Sequence, residues 1–441
     1  MEVSATFKKF IENLAVKNKE EISNRYKTIT KTLNKSYWDH ESDTYNSLMV
    51  GSYGRGTAIN GISDLDMVFS LPWSVYERFN SYETNGQSAL LQEVKGVIKP
   101  TYSRTDIRGD GQVVVVTFNN HVFEILPAFL NSDNSYTYPD TKNGGKWKET
   151  KPRQEKAETN NLNTNFKGTL KHLCKMVRAW KNKCGVPMGG LLVDTLAYNF
   201  LKSNEVYKDR SYTYYDWLCR DFFEYLKDTD KNQKYWLAPG SRQPVYKKGN
   251  FVPKAKKAYN KCLDAIGKEN QKIVNKIWRE VFGTQFPLEE QLSKSNASSF
   301  TYNDTEEFIE DHYLVNVRYN LVIDCHVKQN GFQTMLLSTL LGRGIFLKFG
   351  KTLRFVVRHC NVPEPYIIKW KVRNIGPTAE KKDMIRGQLL IDTGDKARTE
   401  HSQFNGPHYV ECYVIKDGIC LARDRIDVPI REPVKAIQEK F

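Results

Sequence analysis

The sequence of 441 residues contains no long hydrophobic run, and this absence excludes a membrane-spanning helix, which needs roughly 18 or more consecutive apolar residues. Residues 1–7 lack the basic region and the apolar core of a signal peptide. The eight cysteines form no C-x-x-C pair and no zinc-ligand spacing, so neither a zinc site nor a disulfide framework is predicted. We therefore expect a cytoplasmic protein whose cysteines are buried free thiols and which has no membrane partner.

Acidic residues are in deficit, since 51 Asp and Glu stand against 66 Lys and Arg and give a formal net charge of +15. Such a charge favours polyanionic partners, either nucleotides or nucleic acid, although lysine-rich solvated surfaces are also common. Hydrophobic residues make up 40% of the chain and aromatic residues 12%, which is enough for packed cores and excludes a disordered protein. The length predicts two or three domains.

A run of small residues at 51–57, called the glycine turn below, precedes two carboxylates separated by one residue, Asp64 and Asp66. The run is neither a P-loop nor a dinucleotide-binding fingerprint. Because Asp64 and Asp66 enter a predicted strand, both side chains point to the same side, where they suit a hard cation such as Mg²⁺. The backbone N–H groups from Gly51 onward and the hydroxyl of Ser52 suit the phosphates of the same ligand. The pattern predicts metal-assisted transfer of a nucleotide.

A site with two Mg²⁺ ions needs a third carboxylate, and Glu124 is the candidate. Glu124 interrupts the apolar strand pattern of 121–129, which is predicted to pair with 111–118 as a hairpin around Asn119 and Asn120. A lone acid in such a strand is costly to bury unless it is paired or bound to metal. The alternative is an acid on the exposed face of the strand, but the two upstream aspartates favour the metal role.

The predicted helix at 165–183 places Lys171, Lys175 and Arg178 on one face. These cations could bind the phosphates of a nucleoside triphosphate, with Lys175 as the first candidate, or they could simply form a solvated surface. Segment 138–152 combines turn residues with a tryptophan. It is either a surface loop or part of the wall of a nucleotide pocket, and the sequence leaves both open.

The remaining patterns predict a helical first part and a strand-rich last part. One or two amphipathic helices are expected over 4–37, and further helices over 191–201, 215–225 and 255–277. The polar stretch 292–299 is predicted to be a linker. Strands are then expected over 313–328, 353–359, 366–373, 388–391, 408–415 and 419–430.

The arrangement Gly51-Ser52, Asp64-x-Asp66 and an acid at Glu124 resembles nucleotidyltransferases of the DNA polymerase beta type. Within that superfamily, residues 40–285 resemble the bacterial cGAS/DncV-like nucleotidyltransferases, which are second-messenger oligonucleotide or dinucleotide synthetases. The resemblance implies an α+β fold with a polymerase-beta-like core and a helical lobe over residues 1–295. Two departures are Glu124, where many relatives have Asp, and segment 188–194, where relatives often supply an aromatic residue that stacks on a base.

Residues 303–431 resemble the adenylyl/guanylyl and SMODS C-terminal sensor domain, which implies a ligand-sensing all-β sandwich over about 300–431. This match rests on Pro365-Tyr366-x-x-x-Trp370, Arg386-Gly387 and a segment that contains His408 and Glu411. The sequence shows no catalytic constellation in this part. His408 and Glu411 are interpreted as buried structural residues.

The two resemblances together imply an enzyme that joins nucleoside triphosphates, ATP or GTP or others, into a cyclic di- or oligonucleotide with release of pyrophosphate. Asp64, Asp66 and Glu124 would hold two Mg²⁺ ions, and Gly51, Ser52, Lys171, Lys175 and Arg178 would bind the nucleotide. The product would activate an effector in anti-phage defence. The alternatives are a linear product, transfer to an RNA end or a protein, or a non-catalytic nucleotide or RNA sensor.

Overall fold

A computed structural model of the chain describes residues 3–61, 64–119, 121–288, 306–328, 333–348, 350–382, 384–403 and 405–430. The chain divides into two compact units. The first unit comprises residues 1–180, 189–247 and 251–289, and the second comprises 181–188, 248–250 and 290–441. The predicted linker at 292–299 lies outside the described residues.

Helices surround a mixed sheet in the first unit. The helices are α1 (Val3–Asn13), α2 (Lys19–Tyr37), α3 (Gly51–Gly54), α4 (Trp73–Asn80), α5 (Gly86–Ile98), α6 (Pro152–Asn165), α7 (Thr169–Cys184), α8 (Gly190–Ser203), α9 (Tyr215–Lys227), α10 (Val252–Ile266) and α11 (Gln271–Phe282). The strands are β1 (Ser47–Met49), β2 (Asp64–Ser70), β3 (Asp106–Asp110), β4 (Val113–Thr117), β5 (Val122–Leu130), β6 (Tyr136–Asp140), β7 (Lys146–Thr150), β8 (Tyr235–Leu237) and β9 (Pro244–Tyr246).

The main sheet has the strand order β1-β2-β5-β4-β3, with β6 and β7 continuing from β5. The central strands β2 and β5 run parallel, and their neighbours in the sheet are antiparallel. Alternate residues of β2 and β5, among them Leu65, Met67, Phe123 and Ile125, are buried in a core shared with α2 and α5. Period-two burial leaves the other face of these two strands for polar side chains.

Several predicted elements are confirmed and others are corrected, among them the strand expected over 313–328, which is instead two strands, Leu314–Val315 and Leu321–Lys328. The hairpin around Asn119 is present as β4 and β5, and the N-terminal amphipathic segment forms two helices, α1 and α2. The helix expected over 255–277 is instead two, because Asn270 caps α11 by accepting from the backbone N–H groups of Lys272 and Ile273. Segment 138–152 is not an irregular loop: strands β6 and β7 pair there.

The second unit is rich in strands and forms the expected sandwich. Its strands are β10 (Leu314–Val315), β11 (Leu321–Lys328), β12 (Met335–Leu336), β13 (Thr352–Cys360), β14 (Ile367–Arg373), β15 (Leu389–Ile391), β16 (Ala397–His401), β17 (Gly406–Lys416) and β18 (Ile419–Ile430), with short helices α12 (Ile309–His312), α13 (Leu337–Gly342) and α14 (Pro377–Lys381). One sheet has the order β10-β18-β17-β14-β15 and the other β12-β11-β13-β16. Inward residues of both sheets share one core, including Phe355, Trp370 and Val410.

The α+β fold class is therefore confirmed, with an all-β second unit. All eight cysteines are free, as expected, and six of them are buried. In the part of the chain that the structure describes, no helix is long and apolar enough to cross a membrane.

Candidate active site

The three predicted acids lie on one face of the parallel strand pair at the centre of the sheet. Asp64 and Asp66 are in β2 and Glu124 is in β5, where the register sets Asp66 directly beside Glu124. Asp64 precedes Asp66 by two residues, so strand alternation gives it the same side. All three are half-buried, whereas the residues between them belong to the core behind the sheet. The predicted juxtaposition of these acids is thus present in the fold.

The glycine turn packs against one of these acids. The Val50 N–H donates to the Asp66 carbonyl at 2.9 Å, which brings the start of α3 alongside β2. Gly51 has a φ of +58°, and a Cβ atom on it would overlap the Asp66 carboxylate. Ser52 follows in α3, and its carbonyl accepts from the Thr57 N–H at 2.9 Å, which closes the turn. Only glycine fits at position 51 while Asp66 keeps this place.

The acids have the chemistry of a magnesium site. Mg²⁺ takes oxygen ligands from one or two carboxylates together with substrate phosphates, and the three acids supply such oxygens on one face. Burial raises the pKa of Asp66 and the nearby Arg55 guanidinium lowers it, with a net rise. Among the described residues, no three Asp, Glu, His or Cys side chains are gathered around one point. The carboxylate oxygens and the strand register suit Mg²⁺, but the three carboxylates do not converge on one point.

Behind the glycine turn, Asp194 of α8 joins two arginines. The Arg55 Nε lies 2.9 Å from one Asp194 oxygen and the Arg178 Nη1 lies 2.6 Å from the other. Thr57 of the glycine turn also donates its hydroxyl to Asp194, at 3.0 Å, and Arg55 reaches Glu155 of α6 at 3.4 Å. We call Arg55, Glu155, Arg178 and Asp194 the charge network. All four are buried, and they fix the glycine turn to three helices.

The charge network is held together electrostatically. Burial raises the pKa of Asp194, but the charges of Arg178 and Arg55 and their hydrogen bonds lower it more, to about 2. Burial also raises the pKa of Glu155, against the lowering by Arg55, and its other oxygen accepts from the Ser241 hydroxyl at 3.0 Å. A carboxylate between two guanidinium groups stays ionised even without solvent.

Arg178 does not share the face of the two lysines. Its guanidinium is turned inward, where it donates to Asp194, to the Gly190 carbonyl at 3.0 Å and to the Cys174 carbonyl at 3.3 Å. These partners occupy the group. The structure therefore places Arg178 in the charge network, and the nucleotide-binding role expected from helical spacing stays a prediction.

Lys171 and Lys175 do remain half-exposed on α7, and Lys171 lies at the glycine turn. A Cβ atom on Gly56 would be 3.4 Å from the Lys171 Nζ, and this Nζ donates to the Asn160 side chain at 2.8 Å. Burial lowers the pKa of Lys171, and the charge of Lys156 lowers it further. For Lys175, burial again lowers the pKa, followed by the charges of Lys19 and Lys171.

These four residues, Lys19, Lys156, Lys171 and Lys175, are called the lysine cluster. Their mutual repulsion is unfavourable in the protein alone and becomes favourable when a polyanion lies among them. The lysine cluster and the acid-bearing face are both adjacent to the glycine turn, through Gly56 and Gly51 respectively.

Segment 138–152 does not present its tryptophan as an exposed surface. Trp147 packs at 4.9 Å from the Tyr76 ring and 5.7 Å from the Phe129 ring, and its Nε1 donates to the Asn80 side chain at 2.9 Å. These contacts make Trp147 a packing residue between β7 and α4.

In the second unit, Glu411 is buried as expected. Its carboxylate lies 3.0 Å from Arg423 and 3.7 Å from Lys371, and it accepts from the Tyr413 hydroxyl at 2.7 Å. His408 is also buried. Both fit the structural interpretation.

The charge network was missed in the sequence analysis. Asp194 stood out only because segment 188–194 lacks the aromatic residue that relatives carry. A usable signal was present, since Asp194 is a lone acid in the apolar helical run 191–197, the same pattern that singled out Glu124. Its counter-charge, Arg55, lies within the glycine turn itself.

Two family models match the chain. Residues 1–163 match the Second Messenger Oligonucleotide or Dinucleotide Synthetase domain, and residues 303–431 match the Adenylyl/Guanylyl and SMODS C-terminal sensor domain. A probable cyclic nucleotide synthase of Bacillus cereus (strain VD146) is 22% identical over 281 residues, which cover 54% of this chain and 82% of that protein.

Among solved structures, the chain is similar to Escherichia coli MS115-1 CdnC with ATP, at 13% identity and a TM-score of 0.47, over 65% of this chain and 99% of that one. It is also similar to Vibrio cholerae DncV bound to 3′-deoxy ATP, at 14% identity and a TM-score of 0.45, over 55% of this chain and 69% of that one. Neither likeness is close enough to carry a conclusion. The family matches confirm the resemblance to the second-messenger synthetases and, with it, an enzyme of the nucleotidyltransferase class.

Proposed function

We propose that this chain, in which a second-messenger synthetase domain is joined to a C-terminal sensor domain, synthesises a cyclic di- or oligonucleotide from nucleoside triphosphates with Mg²⁺. The observation that carries the proposal is the register of β2 and β5, which sets Asp66 beside Glu124 and next to the glycine turn. A cyclic product is supported by the B. cereus relative, whose name states cyclic nucleotide synthesis.

Asp64, Asp66 and Glu124 would hold two Mg²⁺ ions. Bound there, the ions would supply Lewis-acid stabilisation of the triphosphate and of the attacking oxygen. Asp66 orients this site because its carboxylate is confined between β2 and Gly51. Glu124 lies across the register from it and would accept the proton of the attacking ribose hydroxyl.

Gly51, Ser52, Lys171 and Lys175 would bind the triphosphate. The backbone N–H groups and the Ser52 hydroxyl of the glycine turn offer donors, and the two lysines offer charge for the β- and γ-phosphates. Arg178 contributes indirectly, since it holds Asp194, which in turn holds the glycine turn through Thr57.

In each transfer, a ribose hydroxyl oxygen bonds to the α-phosphorus of a second nucleotide. The bond from that phosphorus to the bridging oxygen breaks, and pyrophosphate leaves with its electron pair. The hydroxyl proton passes to Glu124. A second transfer within the linear product closes the ring, and the ring would then act on a nucleotide-activated effector in anti-phage defence.

The test is product analysis with purified protein. We expect labelled ATP and GTP mixtures with Mg²⁺ to give a product resistant to phosphatase, together with pyrophosphate, and the Asp64→Ala variant to give none while unfolding at the same temperature. A phosphatase-sensitive product would support linear synthesis instead. Label that appears only on added RNA would support end transfer, and full turnover by Asp64→Ala would refute this site.

A further inference from the structure

A basic run that lies in the first unit, except for residues 248–250, has no part in the site described above. From Lys231 to Leu263, nine residues are Lys or Arg and none is Asp or Glu. The run begins with residues 231–247, in which β8 and β9 pair as an antiparallel hairpin. We call β8 and β9 the tyrosine hairpin, after Tyr235 and Tyr246.

The outer face of the tyrosine hairpin is exposed and aromatic. Tyr235 and Tyr246 are directly opposite each other across the strands, with ring centroids 5.5 Å apart and exposures of 48% and 61%. Leu237 and Pro244, the next pair on the same face, are exposed as well. The inner face carries Trp236, which is buried against Phe251 and anchors the hairpin. Exposed aromatic and apolar residues gathered in one patch are typical of a binding surface.

Cations and amides surround these rings. An open cleft of about 740 Å³ is lined by both tyrosines together with Asn199, Asn232, Gln233, Lys234 and Arg242. Lys202 is near this cleft: its hydrogen bond to the Tyr198 hydroxyl raises its pKa, and the charge of Arg242 acts in the opposite direction. The cleft therefore combines flat aromatic surfaces, positive charge and neutral hydrogen-bonding groups.

Arg242 is held in a strained backbone conformation. Its φ of +59° lies in the left-handed region, which costs a side-chain-bearing residue of the order of 1 kcal/mol, and the turn is fixed by its N–H donating to the Ala238 carbonyl at 3.0 Å. Glycine would adopt this conformation without strain. An arginine kept at such a position extends its charge into the cleft.

We propose that the tyrosine hairpin and its cleft bind single-stranded RNA. Unpaired bases stack on exposed aromatic rings, and a positive groove follows the phosphate backbone. The three amides suit the 2′-hydroxyl, which both donates and accepts hydrogen bonds and distinguishes RNA from DNA. A duplex hides its base faces and gains nothing from the rings. This proposal does not depend on the proposed catalytic activity.

The test is fluorescence anisotropy with a labelled, unstructured 15-nucleotide uridine-rich RNA and the full chain. We expect binding that weakens about tenfold or more in Tyr235→Ala and in Tyr246→Ala, since each lost stack removes one favourable base contact. Tyr246→Phe keeps the ring and should retain the affinity. Lys276→Ala, an exposed lysine on α11, is the matched control and should leave the affinity unchanged.

The variant Arg242→Gly tests the contribution of this cation to RNA binding without destabilising the fold. It removes one cation and relieves the backbone, so we expect weaker binding with a shallower salt dependence, by about 0.7 in the log–log slope, and no loss of thermal stability. DNA of the same sequence and a duplex RNA should bind more weakly than the single strand. The proposal is wrong if the wild-type chain does not bind the RNA, if both alanine variants bind as well as wild type, or if the duplex binds most tightly.

Discussion

Arg55 belongs to the charge network and also acts on the acid-bearing face of the sheet, yet the pKa of Asp66 on that face is raised and the pKa of Asp194 in the network is lowered. Burial raises the pKa of Asp66, and Arg55 offsets only part of that rise. Asp194 is more completely buried, but Arg178 and Arg55 lower its pKa to about 2. The protein compensates the charge of Asp194 fully and the charge of Asp66 only in part.

This difference in pKa shift distinguishes Asp194, a carboxylate that holds the fold, from Asp66, which we propose as a metal ligand. A buried charge with partners on both oxygens stabilises a fixed arrangement, as Asp194 does for the glycine turn. A carboxylate that the fold leaves undercompensated beside two further acids is suited to an ion that arrives with the substrate. The following variants test this division.

The largest effect is expected for Asp66→Asn. We expect nucleotide transfer to fall by about 10,000-fold or more, equivalent to about 5 kcal/mol, because the amide cannot hold Mg²⁺ as a carboxylate does. The free energy of unfolding should stay level or rise, because burial already disfavours the charged form of Asp66. Initial rates and urea unfolding measure the two. A clear loss of stability would make Asp66 a structural residue.

Asp194→Asn should show the reverse pattern. Two buried arginines lose their counter-charge, so the free energy of unfolding should fall by about 3 kcal/mol, with activity lost as the glycine turn loosens. The control is Asp209→Asn, which removes an exposed pair with Lys167 and should cost under about 1 kcal/mol. Equal destabilisation by both variants would contradict the proposed importance of the charge network.

The stabilisation of the fold by ionised Asp194 should be lost over a defined pH range. Its folded pKa of about 2 lies below the ordinary value of 3.8, so its ionisation stabilises the fold fully above about pH 5, and this stability is lost as the pH falls toward 2. The stability gap between wild type and Asp194→Asn should therefore shrink by about 2 kcal/mol between pH 5 and 2. Asp110→Asn, at an exposed site on β3, should show no such change in its gap. A gap independent of pH would contradict the ion pairing.

The smallest effect is expected in the lysine cluster. Lys175→Ala should raise the KM for nucleoside triphosphate about tenfold, near 1.4 kcal/mol, with little change in kcat. Thermal stability should not fall, because the variant also removes repulsion from Lys171 and Lys19. Lys276→Ala serves as the control. A lower kcat with unchanged KM would place Lys175 outside phosphate binding.

The sequence predicted the acid-bearing face because its signals are local. Two aspartates at spacing two, one acid in an apolar strand and a hairpin between strong strand patterns place Asp66 and Glu124 side by side without knowledge of the whole fold. The charge network was not predicted in the same way. Its members are far apart in sequence, and helical spacing alone grouped Arg178 with two lysines whose environment it does not share.

Other differences come from long-range contacts in one case and from a local cap or an unclear pattern in the others. The pairing of β6 with β7 turned an apparent loop into strands, because Trp147 packs on Tyr76 and Phe129. The split of 255–277 depended on the cap at Asn270, which the apolar pattern did not reveal. In the second unit, alternation predicted most strands but neither β12, which has two residues, nor β16, whose residues are largely polar and exposed or half-buried.

During translation, the charge network can form only after Asp194 has been added to the chain. Arg55 and Asp194 are 139 residues apart, so at about 5–20 residues per second the ribosome makes Arg55 roughly 7–28 s before its counter-charge Asp194. The region that matches the synthetase family model ends at residue 163, before both Arg178 and Asp194. A nascent chain that ends before Asp194 thus carries all three acids of the candidate site and still lacks the counter-charge that fixes the glycine turn.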